Sequence, residues 1–307
     1  MLMKRGAALN TIPAILLDTD IGNDIDDVLA LAMLCRLHKD RIVRLIGISV
    51  SNGCVESALY TSVFLQLFGI SVPIYRNEKA ILGDPARYLH VFRRACVPPE
   101  LAIETDVRTF IAKLISTVDT FRIVGIGFST NLVQIIEELK SLNRFDAVGT
   151  ITLMAGNFRW KMPEFNVASD PAAFAKMISY DRVISFCDYS VGSGIYFDGS
   201  IFEQYAPIDN PIYDLLRATY LAYRPMPYDR PTWDPCTVLF SLRDRFEGFF
   251  REVPIRYNFD RVDKAVVVDA DGKHKGIVAA VERGAAHKLK NEIYKLSLGV
   301  QYKFECG

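Results

Sequence analysis

The sequence predicts an α/β protein with an open, mostly parallel but mixed sheet and helices on both faces. Strand-like and helix-like runs alternate through the first two thirds of the 307 residues, which is the pattern of parallel strands joined by crossover helices. Half of the residues are hydrophobic, enough for a large buried core. Glycine and proline do not accumulate into a linker, and we find no internal repeat of about 20 to 50 residues. We therefore expect one domain over residues 1–307.

The first two thirds supply the strands and helices of this prediction. Short runs rich in apolar and β-branched residues predict six strands: Ile12–Leu17, Val43–Val50, Val72–Tyr75, Phe121–Ile126, Thr150–Met154 and Arg182–Phe186. Apolar residues at helical spacing between them predict five helices: Asp26–His38, Val55–Phe68, Val107–Val118, Leu132–Leu142 and Pro171–Ile178.

The character of the chain changes after Pro207. Here we predict a helix at Ile212–Ala222 and a loop rich in proline and tyrosine at Tyr223–Pro235. An antiparallel strand pair around Ile255–Val268, turned by Asp271 and Gly272, should follow. A helix at Val278–Leu296 then closes the fold.

Charge and cysteine content limit the classes of partner. Basic and acidic residues both number 36, and no basic stripe is present to follow a phosphate backbone, so we expect no nucleic-acid partner. The six cysteines form no Cys-x-x-Cys pair, which favours free thiols in a reducing compartment such as the cytoplasm. No run of about 18 apolar residues and no signal-peptide core are evident. We therefore expect no membrane association.

The segment Asp18–Asp27 holds the densest group of acids in the chain, five carboxylates in ten residues. It lies between the first predicted strand and the first predicted helix, and in an open α/β sheet such a turn lies at the edge where ligands bind. Each pair of carboxylates 4 Å apart repels by roughly 1 kcal/mol in water and by more when partly buried. A hard divalent cation with oxygen ligands would relieve this repulsion.

The spacing within the turn suggests which acids converge. Asp18 and Asp20 are two residues apart on an extended segment, so their side chains should point the same way. Asp24 and Asp27 are three apart at the start of a helix and can also meet. Alternatively, Asp24 or Asp26 serves only as a helix cap. Gly22 fits a tight turn that lets the backbone approach a ligand.

This turn resembles the amino-terminal signature of the nucleoside hydrolases, the inosine-uridine-preferring nucleoside N-ribohydrolases, in which Asp-x-Asp-Pro-Gly-x-Asp-Asp follows the first strand. Ile21 replaces the usual proline, and two additional residues precede the pair Asp26-Asp27. The helix that follows continues as in the family. We therefore align the pair there and regard Asp24 as an extra acid.

Four further segments resemble the family's motifs and occur in its order. They are Ser49–Gly53, Gly125–Asn131 (similar to Thr-Gly-Pro-Leu-Thr-Asn), Leu153–Asn157 with Pro163–Asp170 (similar to Met-Gly-Gly and Glu-Phe-Asn), and Trp233–Cys236 (similar to His-Asp-Pro). Without the resemblance, each has an ordinary explanation. Glu164 could be a surface acid, Asn166 a turn former and Asp234 a helix cap. Gly125-x-Gly127 lacks the third glycine of a dinucleotide site.

The resemblance implies a calcium-dependent hydrolase of ribonucleosides or of a related ribosyl compound. The ligands of Ca²⁺ would be Asp20, Asp27, Asp234 and the carbonyl of Ile126, with Asp20 also acting as general base. The ribose would be held by Asp26, Asn52, Asn157, Glu164 and Asn166. The resemblance also implies a homo-oligomer, a dimer or tetramer.

The residues expected to activate the departing base differ from the family pattern. The family has a histidine immediately before the late aspartate, and here Trp233 occupies that position. A tryptophan cannot act as an acid, but it can stack on a base. Tyr228, together with Tyr220, Tyr223 and Arg230, is a candidate to contact the base or relay a proton. An equally good interpretation is that the tyrosines have only a packing role in the loop.

Two other functions remain open at this point. Asp18-Thr19-Asp20 after a first strand also fits the nucleophile and acid of a haloacid-dehalogenase-type phosphohydrolase that uses magnesium. That reading needs a downstream lysine and a late acidic pair, which Asp234 alone does not supply. A non-catalytic ribose-binding or assembly protein is the other alternative, given the missing histidine.

Overall fold

A ten-stranded sheet organises the protein in the computed structural model, which describes residues 12–79, 88–95, 103–204, 210–223 and 228–299. Its strands are β1 Ala14–Thr19, β2 Arg44–Val50, β3 Ile74–Arg76, β4 Ile103–Glu104, β5 Phe121–Gly125, β6 Val148–Leu153, β7 Ile184–Phe186, β10 Phe250–Asp260, β11 Ala265–Val268 and β12 His274–Val281. A separate antiparallel pair consists of β8 Tyr196–Phe197 and β9 Arg230–Pro231.

The helices within the described residues lie on both faces of this sheet. They are α1 Asp26–Lys39, α2 Val55–Leu67, α3 Val107–Ile115, α4 Ser129–Ser141, α5 Phe165–Ser169, α6 Pro171–Met177, α7 Tyr189–Gly192, α8 Ile201–Gln204, α9 Pro211–Tyr223, α10 Trp233–Ser241 and α11 Ala286–Leu298. Short 3₁₀ helices occupy Leu89–Ala95 and Phe145–Ala147.

The strand order is β11-β10-β12-β7-β6-β5-β1-β2-β3-β4. Strand β10 is antiparallel to both of its neighbours, and all other pairings in the main sheet are parallel. The predicted fold class, α/β with a mostly parallel mixed sheet, is confirmed. Strand β1 lies in the middle, and the carboxyl ends of β1, β2, β5 and β6 meet at one edge.

Alternating side chains of β1 feed two hydrophobic cores. Ile15 and Leu17 pack on the face covered by α1, α2, α9, α10 and α11. Leu16 packs on the opposite face, which α3, α4 and α6 cover. Burying a leucine or isoleucine side chain contributes about 1.5 to 3 kcal/mol, so both faces hold β1 firmly. The residues that follow β1 therefore start from a fixed position.

The prediction for the last third of the chain was wrong in two places. Strand β12 occupies His274–Val281, so residues 278–281, predicted as the start of the closing helix, are part of a strand, and the helix begins only at Ala286. Because β12 pairs with β7 as well as β10, its apolar run from Ile277 to Val281 shows no alternation that would mark a strand. The antiparallel pair is present, but β10 turns into β11 at residues 261–264, whereas Asp271 and Gly272 lie between β11 and β12.

Two sequence expectations concern cysteines and membranes. Cys35, Cys54, Cys187 and Cys236 are free thiols, and Cys96 and Cys306 lie outside the described residues. Among the described residues, no helix has the length and hydropathy needed to cross a lipid bilayer.

Candidate metal and sugar site

A cavity of about 560 Å³ opens at the carboxyl edge of the central strands. Six acidic residues line it: Asp20, Asp24, Asp26, Asp27, Glu164 and Asp234. Nine of the eleven site residues predicted from the sequence contribute to the wall, namely Asp20, Asp26, Asp27, Ile126, Asn157, Glu164, Asn166, Trp233 and Asp234. The fold thus brings together segments from residue 20 to residue 234.

The acidic turn takes its shape from Gly22 and Tyr88. Gly22 has a φ of 118°, a conformation that favours glycine. The Tyr88 hydroxyl accepts a hydrogen bond from the Gly22 N–H at 2.7 Å and donates one to the carbonyl of Asp24 at 2.6 Å. Ile25 occupies the cap position of α1, with no side-chain cap. Asp24 and Asp26 are therefore not helix caps, and both side chains reach the cavity.

The prediction that Asp18 and Asp20 point the same way was wrong. Strand β1 ends at Thr19, so the period of two does not continue to Asp20. Asp18 is fully buried beside Ser49 and Ser51, and this burial raises its pKa well above the ordinary value. Asp20 instead lines the cavity, where its Oδ2 accepts a hydrogen bond from Asn23 at 2.9 Å.

Three buried carboxylates converge in the wall of the cavity. One oxygen each of Asp26, Asp27 and Asp234 lies within 4.8 Å of the others. The Thr19 hydroxyl donates a hydrogen bond to Asp27, and the backbone N–H of Asp234 donates one to Asp26 at 3.2 Å. These contacts fix the positions of the three side chains. We call Asp26, Asp27 and Asp234 the carboxylate cluster.

Burial and mutual repulsion disfavour the ionised forms of these acids. Burial raises the pKa of Asp26 to about 7 and that of Asp20 to about 6. The pKa values of Asp27 and Asp234 lie well above the ordinary value, first because of burial and then because of the neighbouring carboxylates, Asp20 and Asp26 among them. Without a counter-charge, the ionised cluster is therefore destabilised by burial and by repulsion between its carboxylates.

The donors around the cluster fit a hard divalent cation. All are oxygens, and the wall includes no lysine or histidine among the described residues. Arg230 also lines the wall, but it is engaged by Asp24. The carbonyl of Ile126, also in the wall, is held by a hydrogen bond from the Asn166 side chain at 3.1 Å. The site therefore provides carboxylates and a carbonyl, and the one cationic side chain in its described wall is already paired with Asp24.

Glu164, Asn166 and Asn157 form a polar wall beside the cluster. Glu164 accepts hydrogen bonds from the backbone N–H groups of Gly156 and Asn166 at 3.0 and 2.9 Å, and burial raises its pKa to about 7. The side-chain Oδ1 of Asn157 accepts a hydrogen bond from the backbone N–H of Trp160 at 3.0 Å. Its buried amide nitrogen has no hydrogen-bond partner among the described residues. That group is a donor available to a ligand in the cavity.

Asn52 and Tyr228 do not line the cavity. Asn52 is fully buried, and its amide nitrogen donates to the carbonyls of Asp20 and Ile21 at 3.0 and 2.8 Å. It therefore holds the acidic turn and has no free edge for a sugar. Tyr228 stacks on Tyr220 with ring centroids 5.0 Å apart, so it packs the loop. The contact of these two residues with substrate stays a prediction.

The end of the cavity formed by α10 and β9 is aromatic. Trp233 lines it and stacks with Tyr189, the ring centroids being 5.5 Å apart. The Trp233 indole N–H donates to the carbonyl of Tyr189 at 3.0 Å, which fixes the orientation of the ring. Tyr223 also lines this end. No pattern in the sequence points to Tyr189, because its contact with Trp233 depends on tertiary structure.

Comparison with protein families gives a match over nearly the whole chain. The family described as inosine-uridine preferring nucleoside hydrolase matches residues 15–293. No curated protein matches the sequence.

Solved structures of similar fold include several hydrolases. An inosine-uridine preferring nucleoside hydrolase from Bacillus anthracis is 17% identical, with a TM-score of 0.72 over 94% of this chain and 100% of that one. A purine-preferring ribonucleoside hydrolase from Gardnerella vaginalis is 18% identical, with a TM-score of 0.66 over 94% and 100%. The type III effector XopQ, solved in complex with adenosine diphosphate ribose, is 16% identical, with a TM-score of 0.70 over 95% of each chain. At these low identities, the similarity to the solved structures shows a shared fold and nothing more.

Proposed function

Because the chain belongs to the inosine-uridine preferring nucleoside hydrolase family, we propose that it hydrolyses the N-glycosidic bond of ribonucleosides to ribose and a free base. The observation that carries this proposal is the buried carboxylate cluster, which lies in one cavity with Asp20 and the polar wall of Asn157, Glu164 and Asn166. The cavity of about 560 Å³ is within the usual size range for a small-molecule site.

We propose Ca²⁺ as the cofactor, with Asp20, Asp27, Asp234 and the carbonyl of Ile126 as its protein ligands. The oxygen-only donor set and the raised pKa values of these acids support a hard divalent cation. A bound divalent cation lowers the pKa of a coordinated water and offsets the charge of the cluster. Asp26, whose Oδ2 already accepts the Asp234 N–H, keeps one oxygen for a ribose hydroxyl.

Hydrolysis requires a water to be deprotonated as it attacks the anomeric carbon. Asp20 lines the cavity beside the cluster, and we assign it the role of general base. As the bond to the base breaks, the sugar takes on the positive charge of an oxocarbenium-like transition state. The negative cavity wall stabilises that charge more than it stabilises the neutral substrate, which is the condition for catalysis.

The remaining polar residues bind and orient the sugar. Glu164 and Asn157 face the cavity with positions fixed by backbone hydrogen bonds, so little entropy is lost when they bind hydroxyl groups. The Asn166 amide holds the carbonyls of Ile126 and Met154 at 3.1 Å each. The side-chain oxygen of Asn166, Oδ1, is the group proposed to contact ribose. Trp233 provides an aromatic surface in the cavity wall for the base.

A second candidate is ribose binding without hydrolysis, since XopQ, of similar fold, was solved with adenosine diphosphate ribose. Reducing-sugar release from inosine, uridine and cytidine, measured beside calorimetry with ribose and inosine, separates the two. Release of ribose in the presence of Ca²⁺ supports the hydrolase. Binding of ribose or inosine without release of ribose would contradict the hydrolase proposal and support the ribose-binding protein. Two further expectations remain proposals. One is the cytoplasmic location, which follows from the scattered cysteines, and the other is the dimer or tetramer that the family resemblance implies.

A further inference from the structure

Arg230 is the one cationic residue in the cavity wall among the described residues. It lies on β9 and forms a bidentate ion pair with Asp24 of the acidic turn, 206 residues away in sequence; its Nε lies 2.8 Å from Asp24 Oδ1. Both side chains are mostly buried. Within the cavity wall, the ion pair connects the turn that carries Asp20 to the segment that leads to Asp234.

Three of the five N–H donors of the Arg230 guanidinium group lie outside the ion pair with Asp24. Arginine has five N–H donors, and the pair with Asp24 uses Nε and Nη2. No hydrogen bond from Nη1 is present among the described residues. The guanidinium carbon lies 5.0 Å from the ring centroid of Trp233 and 5.8 Å from that of Tyr223. Arg230 is therefore fixed in the aromatic end of the cavity, where the base is proposed to bind.

The proposed reaction develops negative charge at this end. The bond from the anomeric carbon to the base nitrogen breaks and its electron pair goes to the base. The water oxygen bonds to the anomeric carbon, and the proton of the water goes to Asp20. The base leaves as an anion unless an acid protonates it, and none of the four histidines lines the cavity. An arginine does not release a proton in proteins, but it provides a fixed positive charge and N–H donors.

We propose that Arg230 is a catalytic residue that stabilises the negative charge of the departing base through its Nη1 donors. The inference rests on the proposed hydrolase function. Asp24 is the positioning residue that orients the guanidinium.

The test compares two leaving groups in Arg230→Met. Inosine needs help to release its base, whereas p-nitrophenyl riboside releases a phenolate that is stable without help. We expect kcat/KM for inosine to fall about 100-fold to 1,000-fold, the usual loss for one preorganised donor to a developing anion. For p-nitrophenyl riboside we expect a loss below about fivefold. Equal losses on both substrates would make Arg230 a purely structural residue and overturn the proposal.

Two further variants control for folding. Arg122 forms a similar bidentate pair with Asp244, at 2.7 Å, outside the cavity, so Arg122→Met should leave the ratio of the two kcat/KM values unchanged. Arg230→Lys keeps the charge and should lose less on inosine than Arg230→Met. A lysine variant as poor as the methionine variant would contradict the role of charge. If the wild type hydrolyses neither substrate, the hydrolase proposal fails and this inference with it.

Discussion

The backbone N–H of Asp234 donates a hydrogen bond to the carboxylate of Asp26 at 3.2 Å, joining positions 208 residues apart. This contact ties the start of α1 to the start of α10. Because Asp27 is adjacent to Asp26 and also belongs to the carboxylate cluster, the contact brings three acids together in one buried place. The cluster therefore depends on tertiary packing, since α1 and α10 are remote in sequence and meet only in the folded protein.

Calcium should stabilise the folded protein at neutral pH. A ligand present at 100 times its dissociation constant contributes about 2.7 kcal/mol to the free energy of unfolding. We expect the melting temperature to rise when Ca²⁺ is added to chelator-treated protein, as measured by circular dichroism. Asp234→Asn, which removes one charge of the cluster, should show a smaller rise. An identical melting temperature with and without Ca²⁺ would contradict the proposed metal site.

The metal-free protein should become less stable as pH rises from about 4 to about 7. Burial raises the pKa of Asp26 and of Glu164 to about 7 each, whereas in the unfolded chain such groups titrate near 4. Between these values the folded state binds more protons than the unfolded state, so the free energy of unfolding falls with increasing pH. Urea denaturation at about pH 4.5 and about pH 7.5 in chelator checks this. A higher stability at the upper pH would refute it.

Asp20→Asn should lose activity without losing the fold. A positioned general base contributes about 100-fold to 10,000-fold to the rate, so we expect kcat for inosine to fall within this range. Removal of one buried negative charge should leave the melting temperature of the metal-free protein unchanged or higher. Steady-state kinetics and thermal unfolding measure the two effects. Unchanged turnover would exclude Asp20 as the base.

Asn52→Ala should act through stability. The Asn52 amide nitrogen has three hydrogen-bond acceptors within 3.0 Å, two of them carbonyls of the acidic turn. Loss of these bonds leaves buried carbonyls without partners, at a cost of about 1 to 3 kcal/mol. We expect a lower free energy of unfolding and weaker Ca²⁺ binding, seen by denaturation and calorimetry. A higher KM at unchanged stability would instead restore the predicted contact of Asn52 with ribose.

Gly127→Ala should displace Asp20. A Cβ atom at Gly127 would lie 2.6 Å from the backbone nitrogen of Asp20 and 2.9 Å from the carbonyl carbon of Thr19. Backbone atoms cannot yield as a side chain does, and overpacking of this kind costs about 1 to 3 kcal/mol. Both the melting temperature and kcat should fall. The matched control is Gly149→Ala, whose new Cβ would find its nearest neighbour at 3.4 Å, and equal effects in the two variants would contradict the prediction.

Most strands and helices in the parallel part of the fold followed from the sequence, because buried parallel strands and amphipathic helices carry local signals. The two-residue strand β4 and the short helices α5, α7 and α8 were not predicted. Strand β1 and helix α1 lie within a few residues of their predicted positions. The acidic turn was also evident, since five carboxylates in ten residues have no ordinary structural use. Helix α10 and strand β12 were misjudged or missed, because their apolar residues face two layers and show no clear period.

The chain itself determined which chemical groups are available: the acids of the turn, Glu164 and the late Asp234 are fixed by the order of residues. Tertiary structure alone decided their use. It turned Asp18 away from the cavity, gave the Asn52 amide to the backbone and joined Asp24 to Arg230 across 206 residues. The physical reason is that hydrogen bonds and ion pairs depend on distances of a few ångströms, and between remote segments the packing of the sheet and its helices sets those distances.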